Sequence, residues 1–211
     1  MKIASTPAAR IGLFGGTFDP VHIAHLALAR SALEQLALDE LRWLPTAHSW
    51  QKPDPPAPAA DREAMLRIAI AGEPCFVLDA RELHRSGPGY TLDTVRELQA
   101  EQPGARWFLV IGQDQFEGLH TWHDWPELLA RVTLAVAQRP GAAGIVHPQV
   151  RQAAQAHVLL PMMAVSSTDV RRRAAAGEPV DSLVPPGVAR YIEDHRLYRR
   201  VTAVESGLTG S

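Results

Sequence analysis

The chain has 211 residues, 46% apolar and 21% charged, enough to bury one substantial core and too few for two independent catalytic domains. A formal net charge of -2 offers no general attraction to nucleic acid or an anionic membrane, so phosphate recognition has to be local and the ligand small. The lone cysteine, Cys75, excludes an intrachain disulfide and a cysteine-built zinc site; with no secretory-type apolar run and no stretch near the roughly 20 apolar residues that span a bilayer, the chain is expected in the cytoplasm.

In chain order, Arg10 to Phe14 reads as a strand, Gly15-Gly16 breaks it, and Ile23 to Leu36 carries apolar residues at helical spacing. Leu41 to Pro45 is a second strand, close enough behind the helix for a parallel crossover. The prolines of 53–60 lack donors for a regular ladder and predict an extended surface loop, after which Asp61 caps a helix to about Ala71. Phe76 to Leu78 is a short strand and Thr91 to Gln102 a helix. Arg106 to Ile111 is a continuous apolar run, as expected of a strand buried on both faces of a parallel sheet. Further strands are expected at Val132 to Ala137 and Val158 to Leu160, then a helix capped by Ser167 and stopped at Gly177, and a last helix from Pro186 to Asp194. The alternation predicts an α/β fold: a Rossmann-like parallel sheet with flanking helices and a C-terminal helical segment. It would form a single domain over 1–211, flexible at about 1–9 and 202–211.

The turn from Gly15 to His25 holds the first candidate chemistry. Glycines without a Cβ let a phosphate approach the backbone, and the N–H groups and dipole of a helix start favour an anion. His22 and His25, three residues apart, share a helix face, so both imidazoles can donate to one polyphosphate. Alone, Gly-Gly would be an ordinary turn. Two histidines at this spacing also leave a zinc site open, with no cysteine or third histidine beside them. Neither GxxxxGK[ST] nor GxGxxG occurs at this turn.

Three hydroxyls, Ser166, Ser167 and Thr168, precede Arg171 at a predicted helix start; they can hold phosphate oxygens, or Ser167 can be a plain cap with Arg171 to Arg173 on a solvated face. Gly112 and Asp114 follow the strongest strand, at the sheet edge where open α/β folds bind ligands; Asp114 either accepts ribose hydroxyls or closes an Asx turn. Trp122 and Trp125 lie just beyond, suited to stacking on a flat ring or to packing.

Several of these segments resemble one family. GGTFDPVHIAH is similar to the GTFDP…HxGH signature of nucleotidyltransferases built on the HIGH-type Rossmann-like fold, with Ala24 where glycine is usual. Val165 to Arg171 resembles the ISSTxIR motif, and IGQDQFEGLHTWHDWPELL the IGxDxxxxxxxWxxWxxL segment of nicotinate-nucleotide adenylyltransferases. Pro88 to Thr94 is similar to PSYTxxTL, with Gly89 for serine, and Thr91 doubles as a helix cap. Pro45 to Lys52 matches PxGxPxHK least well, keeping Lys52 but showing Ala47, Ser49 and Gln51. Leu183 to Tyr198 resembles the terminal LVPxxVxxYI…LY segment and is read as packing. The resemblance runs from about residue 11 to 199.

It implies transfer of AMP from ATP to nicotinate mononucleotide, giving nicotinate adenine dinucleotide and pyrophosphate in NAD biosynthesis. His22, His25 and Arg171 would be catalytic. Gly15, Gly16, Thr17, Phe18, Asp114, Ser166, Ser167 and Thr168 would join them in binding ATP, while Lys52, Tyr90, Thr91, Gly112 and Trp122 would bind the nicotinate nucleotide. Mg2+ would come with ATP, without a protein metal cage, and no nucleic acid or membrane partner is expected. A different acceptor, nicotinamide mononucleotide or phosphopantetheine, a non-catalytic nucleotide sensor and a dehydrogenase are the rival readings; the sensor would not need the histidine pair, and the dehydrogenase would need GxGxxG.

Overall fold

The computed structural model describes residues 7–47, 56–138, 144–160 and 163–199. Six strands, β1 (Arg10–Gly16), β2 (Glu40–Pro45), β3 (Phe76–Leu78), β4 (Arg106–Gly112), β5 (Thr133–Gln138) and β6 (Gln155–Leu159), form one parallel sheet in the order β3-β2-β1-β4-β5-β6. The chain first winds outward from β1 and then returns to place β4 against β1, so the winding reverses between these two strands. Open parallel sheets bind ligands at such a reversal, outside the carboxyl ends of the strands.

Side chains alternate across each strand, and both faces are covered. On one side Phe14, Trp43, Phe108 and Val110 pack with α1 (Ile23–Gln35), α2 (Ala59–Ile70), α8 (Ser167–Ala176) and α9 (Pro186–Asp194). On the other, Leu13, Leu109, Ile111 and Val136 pack with α4 (Thr91–Glu101), α5 (Gln113–Gly118), α6 (Trp125–Arg131) and α7 (Pro148–Gln152). Burial on both faces is why β4 and β5 read as unbroken apolar runs rather than alternating ones. The edge strand β6 is more polar, and its Leu159 backbone is paired at 2.9 Å through both N–H and C=O by the Gln35 side-chain amide. That amide takes the place of a neighbouring strand.

Several boundaries differ from the sequence reading. The helix expected from Asp61 starts at Ala59 behind Pro58, and Asp61 sits in its first turn, accepting a hydrogen bond from the Tyr191 hydroxyl at 2.9 Å. The loop expected over 53–60, of which 53–55 lie outside the described residues, therefore ends two residues early, because a proline restrains the residue preceding a helix start as well as a polar cap does. β6 begins at Gln155, three residues before the expected Val158. Helix α8 is capped by Ser166, whose Oγ accepts from Asp169 N at 3.1 Å, rather than by Ser167. It stops as expected at Gly177, whose φ of 72° suits a residue without a Cβ. A short α3 (Arg81–His84), α5, a 3-10 turn at Leu119–Thr121, α6 and α7 were not foreseen. Of the ends expected to be flexible, 1–6 and 202–211 lie outside the described residues, and the Ala9 carbonyl accepts from Arg106 N at 2.7 Å.

Candidate active site

A cavity of about 1250 Å³ opens over the carboxyl ends of β1 and β4. Gly15, Gly16, Thr17 and Phe18 line it where the chain leaves β1. An added Cβ on Gly16 would come within 3.1 Å of the Phe18 ring, so the close turn depends on glycine there. Phe18, with φ of 47° and 2% exposure, plugs the turn into the core, its ring edge-on to Phe14 at 5.4 Å and to His25 at 5.1 Å. Its packing offsets the left-handed backbone, which a bulky residue rarely adopts.

His22 is the residue before the first turn of α1 and His25 lies within that turn. Both line the cavity, their rings stacked with centroids 3.6 Å apart, and His22 N donates to His25 Nδ1 at 3.2 Å. Burial lowers the His22 pKa to about 4, so the ring is neutral at pH 7. Its enclosed Nδ1 has no hydrogen-bond partner among the described residues. A neutral imidazole donates a hydrogen bond to a phosphate oxygen without a standing charge of its own.

Beneath the turn lies a polar hub that sequence reading did not find. Arg62, 1% exposed, donates to the carbonyls of Thr17 at 2.7 Å, Thr46 at 2.8 Å, Ala57 at 3.0 Å and Ala47 at 3.3 Å. One guanidinium thus ties together the turn after β1, the loop after β2 and the entry to α2. Burial lowers its pKa, opposed by the nearby Asp19 carboxylate. Asp19 in turn accepts from the Tyr198 hydroxyl at 2.8 Å and Ala57 N at 3.3 Å.

The start of α8 forms another wall. Ser166, Ser167 and Thr168 line the cavity, with Ser167 Oγ donating to the Pro20 carbonyl at 3.1 Å. That bond uses the Ser167 proton, while Ser166 uses an acceptor lone pair for its cap and keeps its proton to donate. Arg171 is not among the cavity-lining residues; its Nη1 donates to the Asp19 carbonyl at 2.7 Å, and its side chain remains 30% exposed.

Tyr90, Thr91, Gly112 and Trp122 line the same cavity. Tyr90, not Thr91, holds the capping position of α4, and its ring stacks on His123 with centroids 4.0 Å apart. Gly112 N donates to Gln115 Oε1 at 3.1 Å at the start of α5. Trp122 closes the 3-10 turn and packs partly against the second core cluster, whereas Trp125 starts α6 with its ring edge-on to His147 at 5.2 Å. Asp114 stands apart: it is exposed in the first turn of α5, outside the lining, where an acidic residue complements the helix dipole. Lys52 lies outside the described residues.

Glu82 is a further lining residue that the sequence did not single out. It is buried, accepts from Thr94 Oγ1 at 2.7 Å, and burial pushes its carboxyl up from the usual range. It thereby ties α3 to the first turn of α4, beside Tyr90 and Thr91. Only a D-x-x-E spacing before the PGYT segment could have suggested it.

The profile of the cytidylyltransferase-like family matches residues 13–173. A probable nicotinate-nucleotide adenylyltransferase of Methylibium petroleiphilum is 50% identical over 200 residues, covering 92% of this chain and 94% of that protein. One from Bordetella pertussis is 46% identical, covering 90% of this chain and 98% of its own. In fold, the chain is similar to the solved structure of Plasmodium falciparum nicotinic acid mononucleotide adenylyltransferase complexed with NaAD, at a TM-score of 0.75 and 16% identity, covering 90% of this chain and 97% of that one. With the reversal-point cavity, the stacked histidines and these relatives together, the chain belongs to the nicotinate-nucleotide adenylyltransferase family within the cytidylyltransferase-like proteins.

Proposed function

We propose that the enzyme transfers AMP from ATP to nicotinate mononucleotide, with His22, His25 and Arg171 as the groups that handle the triphosphate. The acceptor phosphate oxygen attacks the α-phosphorus in line, the new P–O–P bond forms, and the bond to the β,γ-pyrophosphate breaks. The protein supplies no nucleophile; it aligns two anions and stabilises charge gathering on the leaving pyrophosphate. The observation that carries this reading is the stacked His22–His25 pair at the start of α1, in one cavity with Ser166 to Thr168 and with Trp122.

In this reading the glycines at 15 and 16 and the α8 start bind phosphate, Trp122 stacks on the pyridine ring, and Tyr90 and Thr91 meet its carboxylate. The exposed position of Asp114 suits a contact at the cavity rim, with the ribose hydroxyls. Lys52 is assigned to the nicotinate nucleotide on its motif alone. ATP enters as its Mg2+ complex. The ion would be held mostly by triphosphate oxygens and water; among the described residues no group of three His, Cys, Asp or Glu side chains could hold a metal ion. The chain is taken as one catalytic domain working in the cytoplasm; among the described residues no helix is long and apolar enough to cross a membrane.

The test is pyrophosphate release by purified protein with ATP, Mg2+ and either nicotinate or nicotinamide mononucleotide, with each dinucleotide confirmed by mass. Strong preference for nicotinate mononucleotide is expected. Equal use of both would overturn the acceptor assignment, and no turnover with either would overturn the reaction.

A further inference from the structure

After α9 the chain turns back toward the catalytic turn. Arg196 at φ 51° and Tyr198 at φ 66° both adopt the left-handed conformation, which most side chains avoid. The second of these residues carries its hydroxyl to Asp19, 179 positions earlier in the chain. Asp19 is 5% exposed, and its two carboxylate oxygens have different partners. Oδ1 accepts from the Tyr198 hydroxyl at 2.8 Å and from Ala57 N at 3.3 Å. Oδ2 lies 3.6 Å from Arg171 Nη1, which is already donating to the Asp19 carbonyl.

A carboxylate and a guanidinium this close would ordinarily close into a bidentate pair with two parallel N–H···O bonds. With Oδ1 committed, only one oxygen is left for Arg171, and the contact stays long. The rest of the guanidinium is therefore not consumed by Asp19: its Nη2 donates at 3.4 Å to the hydroxyl of Thr168, a residue of the cavity wall. We propose that Tyr198 is a positioning residue of the adenylyl transfer: by occupying Oδ1 of Asp19, it keeps Arg171 from closing onto that carboxylate and leaves its donors for the triphosphate. This rests on the assignment of Arg171 to the triphosphate. Burial and the Asp19 charge raise the Tyr198 pKa, so the phenol is protonated and stays a donor throughout the working pH range.

The C-terminal LY pair, read from sequence as packing alone, thus acts on the opposite end of the chain. Tyr198→Phe removes one hydroxyl and keeps the ring, so the packing of the segment survives. The experiment is a double-mutant cycle on kcat/KM for ATP with Tyr198→Phe, Arg171→Ala and both together, with the thermal midpoint of each recorded. Tyr198→Phe is expected to lower kcat/KM for ATP by about tenfold, the scale of one well-placed hydrogen bond, with KM for nicotinate mononucleotide unchanged. In the Arg171→Ala background the same change should have no further effect. An equal loss in both backgrounds would make Tyr198 a structural residue and overturn the proposal, as would full activity of Tyr198→Phe with Arg171→Ala impaired. Full activity of Arg171→Ala would overturn the Arg171 assignment itself, and the proposal with it.

Discussion

The imidazoles of His22 and His25 lie face to face, 3.6 Å between centroids and 19° between planes, with His22 N donating to His25 Nδ1 at 3.2 Å. An Nδ1 that accepts a hydrogen bond cannot carry the proton in the same neutral ring, so His25 holds its proton on Nε2 as a donor. The helix backbone therefore sets the tautomer of one histidine through the other. Under the proposed mechanism, such donors interact most strongly when charge builds on the departing pyrophosphate, not before. His22→Ala is expected to lower kcat by about a hundredfold with the thermal midpoint little changed, by analogy with the loss of one transition-state donor. Steady-state rates with saturating ATP check it; unchanged turnover removes His22 from the mechanism.

Burial of His22 also makes folding depend on pH. Its ordinary value is 6.5 and its folded value about 4, so between these the unfolded chain takes up a proton that the folded chain refuses. Stability is complete above the unfolded value and falls as pH drops toward 4, by up to about 3 kcal/mol. Glu82, whose folded pKa is raised, works the other way: its contribution is lost as pH rises above the ordinary carboxylate range. The His22 part is isolated by comparing urea midpoints of wild type and His22→Gln at pH 7.5 and 5. The wild type should lose more stability than the variant over that interval; equal losses would mean the imidazole is not desolvated in the native protein.

Arg62 is a fully buried cation whose N–H groups go to the carbonyls of Thr17, Thr46, Ala47 and Ala57. Arg62→Met fills much of the volume but strands those carbonyls and leaves Asp19 with less positive charge nearby. A loss of about 3 kcal/mol or more is expected in urea denaturation. Arg62→Lys should rescue little of it, because one ammonium cannot span acceptors on three segments. Full rescue by lysine would show that charge rather than the planar fork is what the site needs.

Trp122 and Trp125 are three residues apart and should separate cleanly by function. Trp122 lines the cavity, and an aromatic stack on a flat ring is worth about 1–3 kcal/mol. Trp122→Ala should raise KM for nicotinate mononucleotide by about tenfold or more while leaving KM for ATP near its original value. Trp125 packs against His147 and the core, so Trp125→Ala should lower the thermal midpoint instead. If Trp125→Ala rather than Trp122→Ala raised KM for the acceptor, the stacking residue would have been misassigned.

Much of the turn between β1 and α1 was legible in advance because it is local. Strand, glycine pair and helix follow one another within 10–35, and two histidines three residues apart across a helix start are held near one another by the first turn, although His22 stands in extended backbone just before α1 rather than on a helix face. The apolar run 106–111 announced a strand buried on both sides for the same reason. Ser166 was displaced by one residue as the cap of α8, since consecutive hydroxyls offer equivalent caps until the first turn is packed against Pro20. The 113–131 segment was harder: its α-helices are short, and no apolar period can establish itself in six or seven residues.

Spacing and residue type by themselves determined the parallel α/β architecture, the glycine turn and histidine pair at the start of α1 and the aromatic residues placed beyond β4. They could not identify Arg62, Glu82, Tyr198 or the partner of Arg171. A single charged or hydroxylated residue on a helix or tail reads as solvated, because most are. Each of these acquires its role only when the sheet closes: Arg62 meets carbonyls up to 45 residues away, and Tyr198 meets Asp19 across 179. Burial then makes every unpaired donor or acceptor costly, so the groups that happen to meet there must satisfy one another. That requirement arises from the packed interior, which local patterning along the chain does not describe.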